Sequence, residues 1–340
     1  MSRHCICGLV AGVAVTLSLG VTTARAQEFK VTLNAPYDGS NAAFFLAEEK
    51  GYYAAEGLKL AMDASGGSGE VATRIGTGTY DFGFGDINVL MEFNAKNPEN
   101  AGKAVYMLYY RSPLSVGSLA KAGINKPADL DRRKLGGSLT DGAYKLFAAY
   151  AALAKVDAGS VQWSYGDLRL RETMLLRGDV DGILGFDSTM YFNLVRQGIV
   201  PSDIKLMYYS DVGLNVYGNA IVASKKVLES NPRAVKGFVT ASAKGWHDAI
   251  ANPAAAIAAL KKKSPLIDEK LELAKLEWLI KNQLVTDESR RSGLGSVDQQ
   301  RLASSFETVS KAFGLPKVPT TAEVWNAEFL PSADINKLPN

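Results

Sequence analysis

Two successive series of short apolar strands alternating with helical stretches constrain this chain more than any other feature. Phe29 to Leu33 reads as a strand, Asn41 to Lys50 as a helix stopped at Gly51, and Leu58 to Ala64 as the next strand. The glycine-rich Gly66-Gly67-Ser68-Gly69 opens another helix, and Tyr80 to Gly85 makes a strand that ends at Asp86. Val105 to Tyr110 and Ser115 to Lys121 read as two more. Parallel strands need crossovers, usually helical, so this alternation predicts an α/β fold with mainly parallel sheets. A second series starts after Ile124-Asn125-Lys126-Pro127. Its strands are Lys134 to Gly137, Val161 to Ser164, Asp181 to Leu184 and Ile204 to Tyr209, with helices at Tyr144 to Lys155 and Leu168 to Arg177. Asn219 to Ala223 then returns the chain to the first series. The expectation is two lobes, one from 27–120 and 218–340 and the other from 121–217, hinged near Lys121 and Tyr217.

Beyond Ser224 the pattern is helical. Val235, Phe238, Val239, Ser242, Trp246 and Ile250 share one face, and Leu273, Leu276, Ile280 and Leu284 share another, so these helices can pack on the first lobe. At the other end, the apolar run from Cys5 to Val21 is about 17 residues, shorter than the roughly 20 that a spanning helix needs. Ala24-Arg25-Ala26 follows it with the small-x-small pattern of a signal peptidase site. Export to the periplasm with cleavage after Ala26 is therefore expected, leaving Gln27 first. Both cysteines, Cys5 and Cys7, lie in this leader, so the exported chain would have no disulfide, thiolate metal site or cysteine nucleophile. Lys and Arg total 38 against 35 Asp and Glu, which gives no electrostatic reason to expect a nucleic-acid partner.

One run of motifs carries a resemblance. Asn41 leads through Ala42-Ala43-Phe44-Phe45-Leu46-Ala47-Glu48-Glu49-Lys50 into Gly51-Tyr52-Tyr53, with Gly57-Leu58 beyond. Asp81-Phe82-Gly83, Arg177-Gly178-Asp179-Val180-Asp181-Gly182, Tyr217-Gly218-Asn219-Ala220 and Asn252-Pro253-Ala254 follow in order. The chain thereby resembles the solute-binding family that includes nitrate, sulfonate, taurine and thiamine-pyrimidine-precursor binders. That resemblance implies a type II periplasmic binding protein: a monomer that closes two lobes on a small molecule and delivers it to an ABC permease, with no cofactor. The physics of the motif agrees, because Gly51 and Gly57 stand where a helix stops and a strand begins. Tyr52 and Tyr53 are expected to wedge the helix against the sheet.

Ligands of open α/β lobes bind beyond the carboxyl ends of the strands. That rule selects Asp38, Ser40, Asn41, Gly67, Ser68, Asp86, Ser138 and Thr140 as contacts. Asp38, Ser40, Asp86 and Thr140 serve equally well as plain helix caps. Gly67-Ser68-Gly69-Glu70-Val71-Ala72 matches a dinucleotide fingerprint, a weak signal standing alone. Asp187 follows the strand Gly182 to Phe186, and the resemblance implies ligand contact there, because an acidic residue near this position touches the ligand in pyrimidine-binding relatives; a plain helix cap before Thr189 is the alternative. Trp163 and Tyr217 are the expected stacking faces. Asp38, Asp86, Asp141 and Asp187, with Arg111 as the one nearby arginine, favour a flat hydrogen-bonding heteroaromatic of pyrimidine type over an anion. A sulfonate, taurine or nitrate binder is the alternative within the family.

Two other classes share the fold. A sensor module would present the ligand to a receptor kinase. A pyrimidine synthase would need a cysteine-rich motif, which a chain whose only cysteines lie in the leader does not have. His247 is the one histidine beyond the leader and sits on a C-terminal helix, so no Ser-His-Asp arrangement is expected near the cleft.

Overall fold

The computed structural model describes Met1 and residues 27–168 and 170–339, so the expected leader and the expected cleavage point after Ala26 lie outside the described residues. In chain order the first lobe begins with β1 (Gln27–Leu33), α1 (Ala42–Glu49), α2 (Tyr52–Ala55), β2 (Leu58–Ala64), α3 (Ser68–Gly76), β3 (Phe82–Asp86), α4 (Ile87–Lys96) and β4 (Lys103–Met107). The second lobe contains β5 (Leu114–Leu119), β6 (Lys134–Gly137), α5 (Gly142–Lys145), α6 (Phe147–Ala154), β7 (Gln162–Tyr165), α7 (Arg171–Arg177), β8 (Gly182–Phe186), α8 (Asp187–Arg196) and β9 (Ile204–Tyr208). The chain returns through β10 (Asn219–Ala223). It ends in helices, of which α9 (Lys225–Ser230), α10 (Pro232–Ala251), α11 (Pro253–Lys263), α12 (Glu269–Leu279), α13 (Asp287–Ser292) and α14 (Gln299–Ala312) are the main ones.

Each lobe holds a five-stranded sheet, ordered β2-β1-β3-β10-β4 in the first and β7-β6-β8-β5-β9 in the second. Four strands of each run in one direction, and β10 and β5 run against their neighbours. These two exceptions are the strands reached by the crossings between lobes. The first crossing departs from expectation. Leu114–Leu119 pairs with β8 and β9, so the chain leaves the first lobe between Met107 and Leu114 and not near Lys121. An apolar run shows that a strand exists but not which sheet it joins. Arg111-Ser112-Pro113 was the only local punctuation. The two crossings lie side by side, joined by Gly218 N to Tyr109 O (2.9 Å) and Tyr109 N to Asn219 O (3.0 Å).

Burial explains the packing. β3, β5 and β10 are buried along their whole length, as central strands covered on both faces must be. Gly51 takes φ +71° and Gly57 φ +74°, so the left-handed turns expected at both positions are present. The two tyrosines after Gly51 make their ring and hydroxyl contacts with α10, while their helix also packs on β2. Tyr53 stacks on Phe238 and its hydroxyl lies 3.0 Å from Ser242 Oγ, while Tyr52 donates to Asp248 (2.6 Å). The helical tail packs on the first lobe through α10 and α11 against α1, and α12 and α14 also reach α8 and α6 of the second. After α12 the helix widens into a π turn, Ile280–Leu284. Its Gln283 carbonyl accepts from Tyr110 N (2.9 Å) and Arg111 N (3.2 Å) of the first crossing. No helix among the described residues is long and apolar enough to cross a membrane.

Candidate functional site

The loops after the parallel strands converge on a cavity of about 550 Å3, counting the part open to solvent. From the first lobe come Asn34, Ala35 and Pro36 after β1, and Gly67 and Ser68 after β2. The second lobe contributes Asp141 before α5, Leu168 and Arg171 at α7, and Phe186, Thr189 and Asn193 at β8 and α8. The lobes are closed on it. Gly69 N donates to Thr140 O (2.9 Å), Thr140 Oγ1 donates to Gly66 O (2.6 Å), and Lys145 Nζ stands 3.0 Å from Glu92 Oε2. Gly66 follows β2, the strand of the first sheet farthest from the crossings, and Thr140 follows β6, next to the outer strand of the second, so this contact lies on the side of the cleft away from the crossings.

Glycine makes that contact possible. Gly67 has φ +122°, and a Cβ there would meet Thr140 O at 2.8 Å; one on Gly69 would meet it at 2.9 Å. The glycine-rich stretch that resembled a dinucleotide fingerprint is thus where the second lobe's backbone lies on the first. Of the residues expected to touch ligand, Gly67 and Ser68 border the cavity, and Ser68 Oγ also accepts from Asp86 N (3.1 Å). Thr140 bridges the lobes. Ser138 lies 3.2 Å from Thr140 Oγ1, in the recess behind Arg171.

The remaining expected contacts stand in protein-internal bonds. Asp38 accepts from Ser40 N (2.9 Å) and Ser40 Oγ (2.6 Å) and pairs with buried Lys275 (3.1 Å), and Asn41 Nδ2 donates to Pro36 O (2.8 Å). These three shape the loop after β1. Trp163 packs among Tyr144, Phe147 and Tyr165 within the second lobe. Tyr217 is fully buried beside the hinge, with Arg301 over its ring at 4.1 Å and its hydroxyl donating to Glu288. Neither aromatic borders the cavity.

Asp187 is also away from it. Its carboxylate is buried at the first crossing, where its own N–H donates to Pro113 O (2.9 Å). Trp278 Nε1 (2.9 Å), Gln283 Nε2 (2.9 Å) and Tyr208 OH (3.2 Å) converge on Oδ2, and Ser188 N donates to Oδ1 (2.6 Å). Burial pushes this carboxyl above its ordinary value, and the four hydrogen bonds pull the other way. Asp187 ties the helical tail to the second lobe. Arg196 of α8 reinforces this by pairing with Glu272 of α12.

Asp86 caps α4, accepting from Asn88 N (2.8 Å) and Val89 N (3.3 Å). Its Oδ2 is buried with no partner among the described residues. Burial moves its pKa up to about 6, against those hydrogen bonds, and the Asp141 charge across the interface adds to the rise. Asp141 caps α5 through Ala143 N (2.9 Å) and is itself raised by burial, with Arg171 opposing. Arg171 was the residue that sequence reasoning missed. Arg111, the arginine expected near the cleft, lies exposed over the Tyr208 ring at 5.0 Å. Among the described residues no cluster of His, Cys, Asp and Glu is suited to a metal ion. His247 lies on α10, 3.7 Å from Asp248 and away from the cavity.

Comparison with known proteins adds three findings. Residues 39–256 match the family model described as NMT1/THI5 like. The riboflavin-binding protein RibY of Chloroflexus aurantiacus is 27% identical over 300 residues, which cover 85% of this chain and 82% of that protein. Among solved structures, the alkanesulfonate-binding protein SsuA of Xanthomonas axonopodis pv. citri, bound to MOPS, superposes with a TM-score of 0.69 at 15% identity, covering 88% of this chain and 98% of that one. The periplasmic aliphatic sulphonate binding protein SsuA of Escherichia coli gives 0.67 at 15% identity, covering 90% and 94%. At such identities the likeness carries the fold alone, that seen in type II periplasmic binding proteins.

Proposed function

The chain belongs to the NMT1/THI5-like family, and from that premise we propose that it is a periplasmic solute-binding protein that hands a small heteroaromatic molecule, of pyrimidine or flavin type, to an ABC permease. The observation that carries this is the cavity itself, built from strand-end loops of both lobes and closed by backbone contact at Gly66, Gly69 and Thr140. A site split between two bodies that meet at glycines is suited to capture by closure. The riboflavin-binding relative supports a flat ring as cargo. A monomer exported with its leader cleaved after Ala26 fits the same reading. Binding is preferred to catalysis because His247 is remote from the cavity and both cysteines lie in the leader.

A sulfonate cargo is the second reading. It is favoured by Ser68, which opens a nine-residue helix at the cavity, where the positive end of the helix dipole attracts anions. Thermal-shift titration with riboflavin, an aminopyrimidine and an alkanesulfonate tests both. A ligand at about 100 times its Kd adds about 2.7 kcal/mol of stability, a rise of about 4 °C for a chain of this length. Failure of every small solute to raise the melting point would refute the proposal.

A further inference from the structure

The polar side chains of the cavity specify the cargo more closely. Arg171 borders it at 5% exposure. A guanidinium offers five N–H donors, all in its plane. Here Nη1 donates to Asp141 Oδ2 (3.2 Å) and Leu184 O (2.9 Å), while Nε (3.2 Å) and Nη2 (2.8 Å) both donate to Glu172 Oε1. Four of the five donors are therefore engaged within the protein, and two carboxylates outweigh the single positive charge. A bidentate grip on a sulfonate or carboxylate needs a pair of free donors on one edge. One face of the guanidinium lies on Gly185, where an added Cβ would come within 2.8 Å of Cζ. Phe186, the next residue, borders the cavity as well. Across the cleft, Asn34 is 8% exposed, and its Oδ1 is buried without a partner among the described residues. An unsatisfied buried acceptor is costly unless something donates to it.

Resting on the solute-binding reading above, we infer that Arg171 and Asn34 are the specificity-determining residues of the cavity. Arg171 offers its planar face for stacking on an uncharged ring, and Asn34 Oδ1 accepts from an N–H or O–H in that ring's plane. Guanidinium planes stack well on aromatic surfaces. Among the described residues the same arrangement selects against anions, which meet Asp141 and Glu172 without a pair of free donors on one edge of Arg171.

The test is calorimetry of wild type, Arg171→Lys and Asn34→Ala with riboflavin, an uncharged aminopyrimidine and MOPS, alongside difference absorption of the bound ring. Lysine retains the charge facing Asp141 and Glu172 but loses the plane, so the fold survives, as circular dichroism would verify. Arg171→Lys is expected to weaken ring binding about tenfold and to shrink the absorption shift. Asn34→Ala is expected to weaken it about fivefold with the shift intact. MOPS should not compete with the rings. Ring binding unaffected by Arg171→Lys, or MOPS displacing the rings from wild type, would overturn the inference and leave solute binding standing. If none of the three probes binds wild type, both readings fall together.

Discussion

Asp86→Asn should change how the stability of this protein depends on pH. Asp86 is 2% exposed, and its Oδ1 accepts from Asn88 and Val89 at the start of α4. Asparagine retains that cap, since its amide oxygen accepts the same bonds. What changes is Oδ2, which is buried, unpartnered and near the Asp141 carboxylate. In the folded chain Asp86 holds its proton up to about pH 6, against 3.8 in the open chain. The sign follows: its contribution to stability is greatest below about pH 4 and is lost as the pH rises through about 6. Between pH 4 and pH 7 that loss is about 2.5 kcal/mol, at about 1.4 kcal/mol per pH unit of displacement. The variant does not titrate there. Any cost of burying its amide is the same at every pH and cancels when the two conditions are compared. Urea unfolding of both proteins at pH 4 and pH 7, in saturating ligand to hold the lobes together, reads the difference directly. The stability of Asp86→Asn relative to wild type should improve by about 2.5 kcal/mol on going from pH 4 to pH 7. A relative stability constant to within about 0.5 kcal/mol would refute the claim that this carboxyl is desolvated between the lobes.

Three further outcomes are expected. Gly69→Ala places a methyl 2.9 Å from Thr140 O while filling the second position of α3, where alanine favours the helix. The melting point should hold or rise, ligand affinity should fall, and small-angle scattering should show a chain that no longer contracts with ligand; unchanged contraction would count against closure at this point. Asp187→Asn turns an amide N–H2 toward either Ser188 N or the three donors on Oδ2, so about 3 kcal/mol of stability is lost. Scanning calorimetry should show this as a drop of about 5 °C, and an unaltered melting point would reduce Asp187 to a bystander. Intact mass of exported protein should correspond to a chain starting at Gln27 without lipid, and a longer or lipidated N-terminus would contradict the reading of Ala24-Arg25-Ala26.

The fold was legible because its signals are local. Alternating apolar runs, Gly51 and Gly57, and glycines after β2 each declare themselves within a few residues. The site was legible only where the same held. Gly67 and Ser68 follow a strand directly, and the strand-end rule found them. Asp187 also follows a strand, but its partners Trp278 and Gln283 come about 90 residues later, so nothing nearby marked it as occupied. Tyr217 misled for the same reason, its hydroxyl and ring being held by Glu288 and Arg301. Arg171 was hidden within a helical stretch. Its only trace was Gly185, fourteen positions on, which leaves room for a guanidinium. Asn34 directly follows β1, but an unpaired oxygen is a property of three-dimensional packing and has no sequence signature.

The π turn at Ile280–Leu284 joins the tail to the first crossing and to the second lobe at once. Its Gln283 carbonyl holds the backbone of Tyr110 and Arg111, while its side chain holds Asp187 on the far lobe. On the closure mechanism proposed above, the molecule would open like a book bound along this spine, its pages parting most at the edge where Gly66 meets Thr140. Spin labels at Gly66 and Thr140 would report nearly the whole swing between empty and loaded forms, and a pair at Asn282 and Arg111 almost none of it.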